Sequence, residues 1–317
     1  MTGVFLDTAT LQRGDLSFAS LTNALPGWQF HEMTSTSQVP QRIAQAEVVV
    51  SNKAYLGAEA LAAATKLKLI CVAATGTNNV DLDAAAARGI AVCNVTGYAA
   101  PSVVQHVFTL ILALVTQLEP YRAAVKAGAW QRARGFSMLD YPIWEVAGKT
   151  LGIIGHGSLG QAVARVAAAF DMRVIIAARP GQTPGAARVP LHDLLRRADV
   201  VSLHCPLTEE TKGLIGAHEL TLMQPHALLI NTARGGLVDE VALAQALREQ
   251  RIGGAGVDVL SEEPPVNGNV LLAADLPNLI VTPHIAWASR EARQRLLDEV
   301  AQNITAFMHG APRNRVA

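Results

Sequence analysis

At 317 residues the chain is long enough for two domains of ordinary size, each with its own core. Half of it is apolar and only 16% is charged, which excludes a disordered chain. Its 26 basic and 26 acidic side chains cancel, so no surplus charge points to nucleic acid or an anionic membrane, and a small-molecule partner is the better expectation.

The N-terminus, Met1 to Asp7, has no basic region before its apolar residues and does not read as a signal peptide. Short apolar runs bounded by turn residues follow at Val4–Leu6, Val48–Ser51, Leu67–Ala73 and Ile90–Cys93. A helical stretch, Pro101–Leu118, comes next. Its most apolar part, Val107–Val115, is interrupted by Thr109 and falls far short of the ~20 residues that cross a bilayer, so it predicts a buried helix. From about residue 150 the apolar runs resume at Leu151–Ile154, Val174–Ala177, Val200–Leu203, Ala227–Ile230, Gly254–Val257 and Leu279–Val281. Between them lie amphipathic stretches such as Leu159–Phe170 and Val241–Gln250.

This strand–helix alternation predicts an α/β protein with two doubly wound parallel sheets, each covered by helices on both faces. Ala288–Met308 reads as a terminal helix packing back on the first domain. The expected division is therefore residues 1–99 with 286–317 as one discontinuous domain, and 100–285 as the other. Cys71, Cys93 and Cys205 are an odd, scattered set in apolar surroundings, as suits reduced thiols in a cytoplasmic protein. No Cys or His spacing forms a zinc pattern, so no metal is assigned, and His31, His192 and His309 read as solvated.

Gly155-His156-Gly157-Ser158-Leu159-Gly160 directly follows the strand-like Thr150–Ile154 and opens a helix-like run. In that setting the first glycine permits a tight turn, the second lets backbone approach a pyrophosphate, and the third allows close helix–strand packing. The helix N-terminus adds amide donors and partial positive charge. In a dinucleotide site the next strand should end in an acid that accepts from the ribose hydroxyls of NAD. Here the position holds Ala178, followed by Arg179. With no carboxylate to repel a 2′-phosphate and a guanidinium beside the site, NADP(H) is a credible partner alongside NAD(H). The other reading of Arg179 is that it stacks on adenine or points to solvent.

Three more residues carry chemistry. Arg234, in Asn231-Thr232-Ala233-Arg234-Gly235-Gly236, lies just past a buried strand pattern, where open α/β sheets place ligands. A surface arginine is the ordinary alternative. In a site its guanidinium can grip a carboxylate bidentately and polarise a keto oxygen. His284 follows the last strand and can give and take a proton at physiological pH. A carboxylate on its far ring nitrogen would fix the tautomer, and Glu263, stiffened by Pro264 and Pro265, is the candidate. Spacing alone leaves Glu263 open to being a solvated loop residue, as Glu262 should be.

Together with His204-Cys205-Pro206-Leu207-Thr208, Gly256-Val257-Asp258-Val259 and Pro283-His284-Ile285-Ala286, these motifs resemble the D-isomer-specific 2-hydroxyacid dehydrogenases over nearly the whole chain. The resemblance implies a NAD(P)-binding Rossmann domain inserted in a flavodoxin-like substrate domain, and a homodimer. It implies that Arg234 binds and polarises a 2-oxo acid, that Glu263 pairs with His284, and that His284 donates the proton in reduction. Gly155 to Gly160, Ala178, Arg179, His204, Cys205, Pro206, Thr232, Ala233, Asp258, His284 and Ala286 would then meet the cofactor. Val50-Ser51-Asn52-Lys53, Ala73 to Asp81, Ser102 to His106 and Leu139 to Ile143 are similar to the glycerate dehydrogenase or hydroxypyruvate reductase branch. That implies backbone amides of Thr75, Gly76 and Thr77 at the substrate carboxylate and Lys53 lining the pocket. Hydroxypyruvate or glyoxylate is the expected substrate. A formate dehydrogenase fits less well, since such an enzyme has Gln where Glu263 stands. A catalytically silent dinucleotide-sensing corepressor is disfavoured by the intact Arg234, Glu263 and His284.

Overall fold

The computed structural model describes residues 1–179, 188–273, 275–311 and 313–317. They form two units, Met1–Ala99 with Trp287–Ala317, and Ala100–Ala286.

The first unit begins β1 (Thr2–Phe5), α1 (Ala19–Ala24), β2 (Gly27–Phe30), α2 (Val39–Ile43) and β3 (Val48–Ser51). It continues α3 (Ala58–Ala63), β4 (Leu69–Val72), α4 (Leu82–Ala87) and β5 (Ala91–Cys93). All pairings are parallel, in the order β2-β1-β3-β4-β5, which is the flavodoxin-like winding. Alternate residues feed two cores. Val4, Val49, Ile70 and Val92 face one, while Phe5, Val50, Cys71 and Cys93 face the other. Burial on both faces is why β3 and β4 read as continuous apolar runs. Edge strand β2, half-buried and then exposed, carries no such run and escaped the sequence reading. The helix Arg290–Met308 seals the second core with Leu296, Leu297, Val300 and Ile304. Ser289 caps it by accepting from the Ala292 amide, and Arg293 clamps it to Asp15 through two bonds of 2.9 and 2.5 Å.

The second unit opens with α5 (Ala100–Val115) and α6 (Leu118–Lys126). In α5, Val103, Val107, Leu110, Ile111 and Leu114 recur at helical spacing and are buried. No single helix among the described residues is long and apolar enough to cross a membrane. Then follow β6 (Thr150–Ile154), α7 (Ser158–Ala169), β7 (Arg173–Ile176), α8 (Leu191–Arg197), β8 (Val200–Leu203) and α9 (Ala217–Leu222). The unit closes with β9 (Leu228–Asn231), α10 (Glu240–Arg248), β10 (Gly254–Val257), α11 (Val270–Ala273) and β11 (Leu279–Val281). These strands form a second parallel sheet, β11-β10-β9-β8-β6-β7. The chain turns one way from β6 to β7 and the other way to β8. Their carboxyl ends therefore make the switch-point crevice where such sheets bind ligands.

One expected boundary shifts. Ala286, placed with the first domain on sequence, belongs to the second unit. Its amide donates to Asp258 Oδ2 at 2.8 Å and its carbonyl accepts from Ser102 Oγ at 2.6 Å, so both its backbone groups are tied there.

Candidate active site

The glycine turn leaves β6 in a conformation that side chains resist. Gly155 has φ +96°, and a Cβ there would lie 2.5 Å from the backbone of His204 and Cys205. A Cβ on Gly160 would sit 2.1 Å from the Gly155 carbonyl oxygen. Gly157, by contrast, faces open space, and as N-cap of the 12-residue α7 it offers no side chain to the first amides. Those donors and the helix dipole suit a pyrophosphate, and the bare Gly157 lets one come close. His156, Ser158 and Leu159 complete this turn. The residues present therefore fit a dinucleotide.

Beyond β7, Ala178 is half-buried and its amide donates to the Val189 carbonyl at 2.8 Å, while Arg179 is exposed. A second guanidinium missed on sequence stands here: Arg188 donates to the Ala177 carbonyl at 3.0 Å. The position expected to hold the ribose-binding acid carries no carboxylate.

At the end of β8 the His204 amide donates to the Ile154 carbonyl at 2.7 Å, stitching the two sides of the switch point together. Its Nε2 meets Ser202 Oγ at 2.9 Å, while its Nδ1 is buried without a partner among the described residues. Burial pushes this imidazole down to about 4, so it is neutral at physiological pH. Burial likewise pushes the Cys205 thiol up, and the Pro206 carbonyl accepts from Thr211 Oγ1 at 2.7 Å. This wall adds no charge against a dinucleotide.

The loop after β9 is drawn around the buried Asn231. Its Nδ2 donates to the Arg234 carbonyl at 2.9 Å and its Oδ1 accepts from the Ala233 amide at 3.1 Å. Thr232 Oγ1 is buried and without a hydrogen-bond partner among the described residues. Arg234 is exposed, with one bond of 2.7 Å from Nη1 to the Ala233 carbonyl and no carboxylate in salt-bridge range among the described residues. Its charge is available to a substrate anion.

Glu263 and His284 meet. His284 Nδ1 lies 2.6 Å from Glu263 Oε2, with both side chains about one-third exposed. Glu263 Oε1 accepts from the Leu260 amide at 2.9 Å, so the carboxylate is held at both oxygens. Glu262 instead accepts from Asn267 Nδ2 at 2.8 Å. The two prolines are not the whole reason for the loop's rigidity. Glu240, at the start of α10, accepts from Ser261 N and Oγ (2.7 Å each) and from Asn269 Nδ2 (2.8 Å).

His284 itself sits at φ +54°, a left-handed conformation that costs a non-glycine residue on the order of 1–3 kcal/mol. Asp258 supplies the lock. It is 1% exposed; its Oδ1 accepts from Thr282 Oγ1 and from the Ile285 amide at 2.9 Å, and its Oδ2 from Ala286. The His284 amide donates to the Asp258 carbonyl at 2.8 Å. His106 Nε2, on α5, lies 2.9 Å from Thr282 Oγ1 and 3.4 Å from Asp258 Oδ1. Burial pushes the Asp258 carboxyl up, but the bonds from His106, Thr282, Ala286 and Ile285 outweigh it and hold it below the usual range. Asp258 and Ala286, expected at the cofactor, spend these polar groups on one another. Nothing local in Ser102–His106 marks His106 as a partner of Asp258, which lies far along the chain.

Arg234, Glu263 and His284 thus stand beyond the carboxyl ends of β9, β10 and β11, which are consecutive in the sheet. The remaining expected residues belong to the first unit, beyond its β3 and β4. The Lys53 amide donates to Asp7 Oδ2 at 2.5 Å, in a loop where the Asn52 and Ala54 amides do the same, and Asp7 is 1% exposed. Thr75 Oγ1 donates to the Val95 carbonyl at 2.8 Å, Gly76 is half-buried, and the Thr77 carbonyl accepts from Val80. Asp7 carried no motif and went unnoticed.

Residues 108–286 match the family model described as the D-isomer specific 2-hydroxyacid dehydrogenase NAD binding domain, more than half the chain. The chain belongs to the D-isomer specific 2-hydroxyacid dehydrogenases. Among relatives of this dehydrogenase, the glycerate dehydrogenase of Methylorubrum extorquens is 46% identical, covering 99% of this chain and 98% of its own. The hydroxypyruvate reductase of Blautia hydrogenotrophica is 35% identical, over 99% and 98%. Among solved structures, the TT0316 protein from Thermus thermophilus has a TM-score of 0.87 at 34% identity, covering all of both chains. An acyclic imino acid reductase in complex with NADPH and D-Arg has a TM-score of 0.85 at 27% identity, again over both whole chains.

Proposed function

We propose that this dehydrogenase reduces a short 2-oxo acid, hydroxypyruvate or glyoxylate, to the D-2-hydroxy acid. The observation that carries the mechanism is the 2.6 Å pair of His284 Nδ1 and Glu263 Oε2 at the strand end beside that of Arg234. A nicotinamide dinucleotide, when bound, would supply the hydride that the carbonyl carbon accepts. Arg234 grips the substrate carboxylate and draws electron density onto the carbonyl oxygen. Because Glu263 engages Nδ1, the proton that the new alkoxide takes comes from His284 Nε2. Lys53 and the amides of Thr75, Gly76 and Thr77 are assigned to the substrate carboxylate, and the uncapped α7 amides to the pyrophosphate. The names of the glycerate dehydrogenase and hydroxypyruvate reductase relatives support this substrate class. NADPH serves at least as well as NADH on this reading, because Ala178 brings no charge against a 2′-phosphate and Arg179 is exposed beside it.

Two further assignments rest on separate observations. Leu118, Trp130, Phe136, Leu139 and Ile143 crowd one stretch of the second unit and are 53–93% exposed, an apolar surface that a second copy in a homodimer would cover. The thiols of Cys71, Cys93 and Cys205 are all free, which supports a reducing compartment, the cytoplasm. The test of the main reading is a panel of 2-oxo acids assayed with NADH and NADPH. Hydroxypyruvate and glyoxylate should lead it, and a protein that oxidises neither cofactor with any 2-oxo acid refutes the proposal.

A further inference from the structure

We propose that His192, His218 and Glu219 form a zinc site on the second unit, separate from the dehydrogenase centre. His192 lies in the first turn of α8, and His218 and Glu219 in the first turn of α9. One ligand atom from each falls within 4.8 Å of the other two.

The geometry is close to coordination. With zinc–nitrogen and zinc–oxygen bonds of about 2.0–2.2 Å, neighbouring donors of a tetrahedral site stand roughly 3.3–3.6 Å apart. His192 Nε2 and Glu219 Oε1 are already at 3.5 Å. The two imidazoles meet edge to face, with centroids 5.4 Å apart, and a ring nitrogen of the exposed His218 lies within 4.8 Å of both other donors, so a turn of that one side chain is what closes the site. The carboxylate is already oriented: Glu219 Oε2 accepts from the Gly216 amide at 3.2 Å, which turns Oε1 toward His192. Two neutral imidazoles and one carboxylate offer three converging lone pairs and one negative charge. That donor set suits Zn²⁺ and leaves its fourth position to water, whereas Mg²⁺ and Ca²⁺ prefer all-oxygen shells.

Such a site would clip α8 to α9, the helices that lead into β8 and β9. Its effect is stabilisation by linkage, since the unfolded chain holds no preformed site. The ligands come from two helices whose sequence between is the length of a whole β-α unit, so no spacing rule reveals them.

The experiment uses tag-free, EDTA-stripped full-length protein titrated with ZnCl₂ by calorimetry. One Zn²⁺ per chain is expected. His192→Ala and His218→Ala should each weaken binding by about tenfold or more, and Zn²⁺ should raise the melting temperature of the parent but not of either variant. Dehydrogenase activity, unchanged in both variants, verifies that they fold. Co²⁺ in place of Zn²⁺ should give a visible spectrum without a thiolate charge-transfer band. A parent that binds no Zn²⁺ overturns the proposal, leaving a plain His192–Glu219 contact. So does binding that survives both His→Ala substitutions, or a thiolate band, which would place the metal on a cysteine.

Discussion

Asp258→Asn tests whether the turn bearing His284 is locked as the structure implies. The carboxylate accepts at both oxygens, from Thr282 Oγ1 and Ile285 N on one and from Ala286 N on the other. An asparagine has one acceptor oxygen. Its better orientation keeps Thr282 and Ile285 but sets an NH₂ against the Ala286 amide. That loses one bond to a charged acceptor, about 1.5–3 kcal/mol, and strands a buried donor for about 1–3 kcal/mol more. The expected loss is roughly 3–5 kcal/mol, a large share of the ~5–15 kcal/mol that holds a typical domain. Urea unfolding followed by tryptophan fluorescence should show a lower midpoint with the same slope. Where the variant remains folded, kcat should fall by about 10–100-fold, because the proposed proton donor, His284, loses the fixed turn that presents it. The pH dependence carries a definite sign. A carboxyl held below its usual range stabilises the fold above the unfolded value of about 4 and loses that contribution as pH falls through the folded value. The parent should therefore lose stability more steeply in acid than Asp258→Asn does. A variant within about 1 kcal/mol of the parent, with unchanged kcat, refutes the lock.

Arg234→Ala should nearly abolish 2-oxo acid reduction while cofactor binding persists, and Arg234→Lys should recover only part, since an ammonium lacks the guanidinium fork; steady-state kinetics and NADPH fluorescence titration measure both. Ala178→Asp should shift preference toward NADH, and Arg179→Ala should weaken NADPH selectively by about 1.5–3 kcal/mol; kcat/KM ratios indifferent to both changes would remove the 2′-phosphate argument. His204 is neutral in the fold, its value pushed from 6.5 to about 4, so the unfolded chain binds the extra proton between those limits and stability falls as pH drops through that window. At up to about 1.4 kcal/mol per pH unit the loss between pH 6.5 and 4.5 is roughly 2 kcal/mol, and His204→Asn should lack it in unfolding curves at those two pH values. Phe136→Ser with Leu139→Ser should turn a dimer into monomers on light scattering, because both side chains are almost fully exposed in the single chain; a parent that is already monomeric rejects the dimer.

Local chemistry was legible in the sequence. Recurring apolar runs marked β3 to β11, because a strand covered on both faces must be apolar throughout, and β2 was missed because its edge position lifts that requirement. The glycine turn could be read because Gly155 and Gly160 answer to backbone a few residues away or on the adjoining strand, while Gly157 leaves open the space before the helix, and the missing acid at Ala178 could be read from the same local spacing. Arg234, Glu263 and His284 were legible in the sequence, the Glu263–His284 pair through the family resemblance, since spacing left Glu263 open to being a solvated loop residue; the structure brings Nδ1 and Oε2 of that pair to 2.6 Å. What holds Glu263 there was not legible: a loop pinned by Glu240 presents the expected carboxylate to His284 Nδ1, while its neighbour Glu262 goes to Asn267. Asp7 and Glu240 carry no motif, and the stretch Ser102–His106 marks His106 only by resemblance, not as a partner of Asp258. Each is a charged or polar side chain that matters only through partners far along the chain, and Ala286 joins the second unit for the same reason. Hydrogen bonds of that range depend on which strand ends the sheet order brings side by side, and only the tertiary structure decides that.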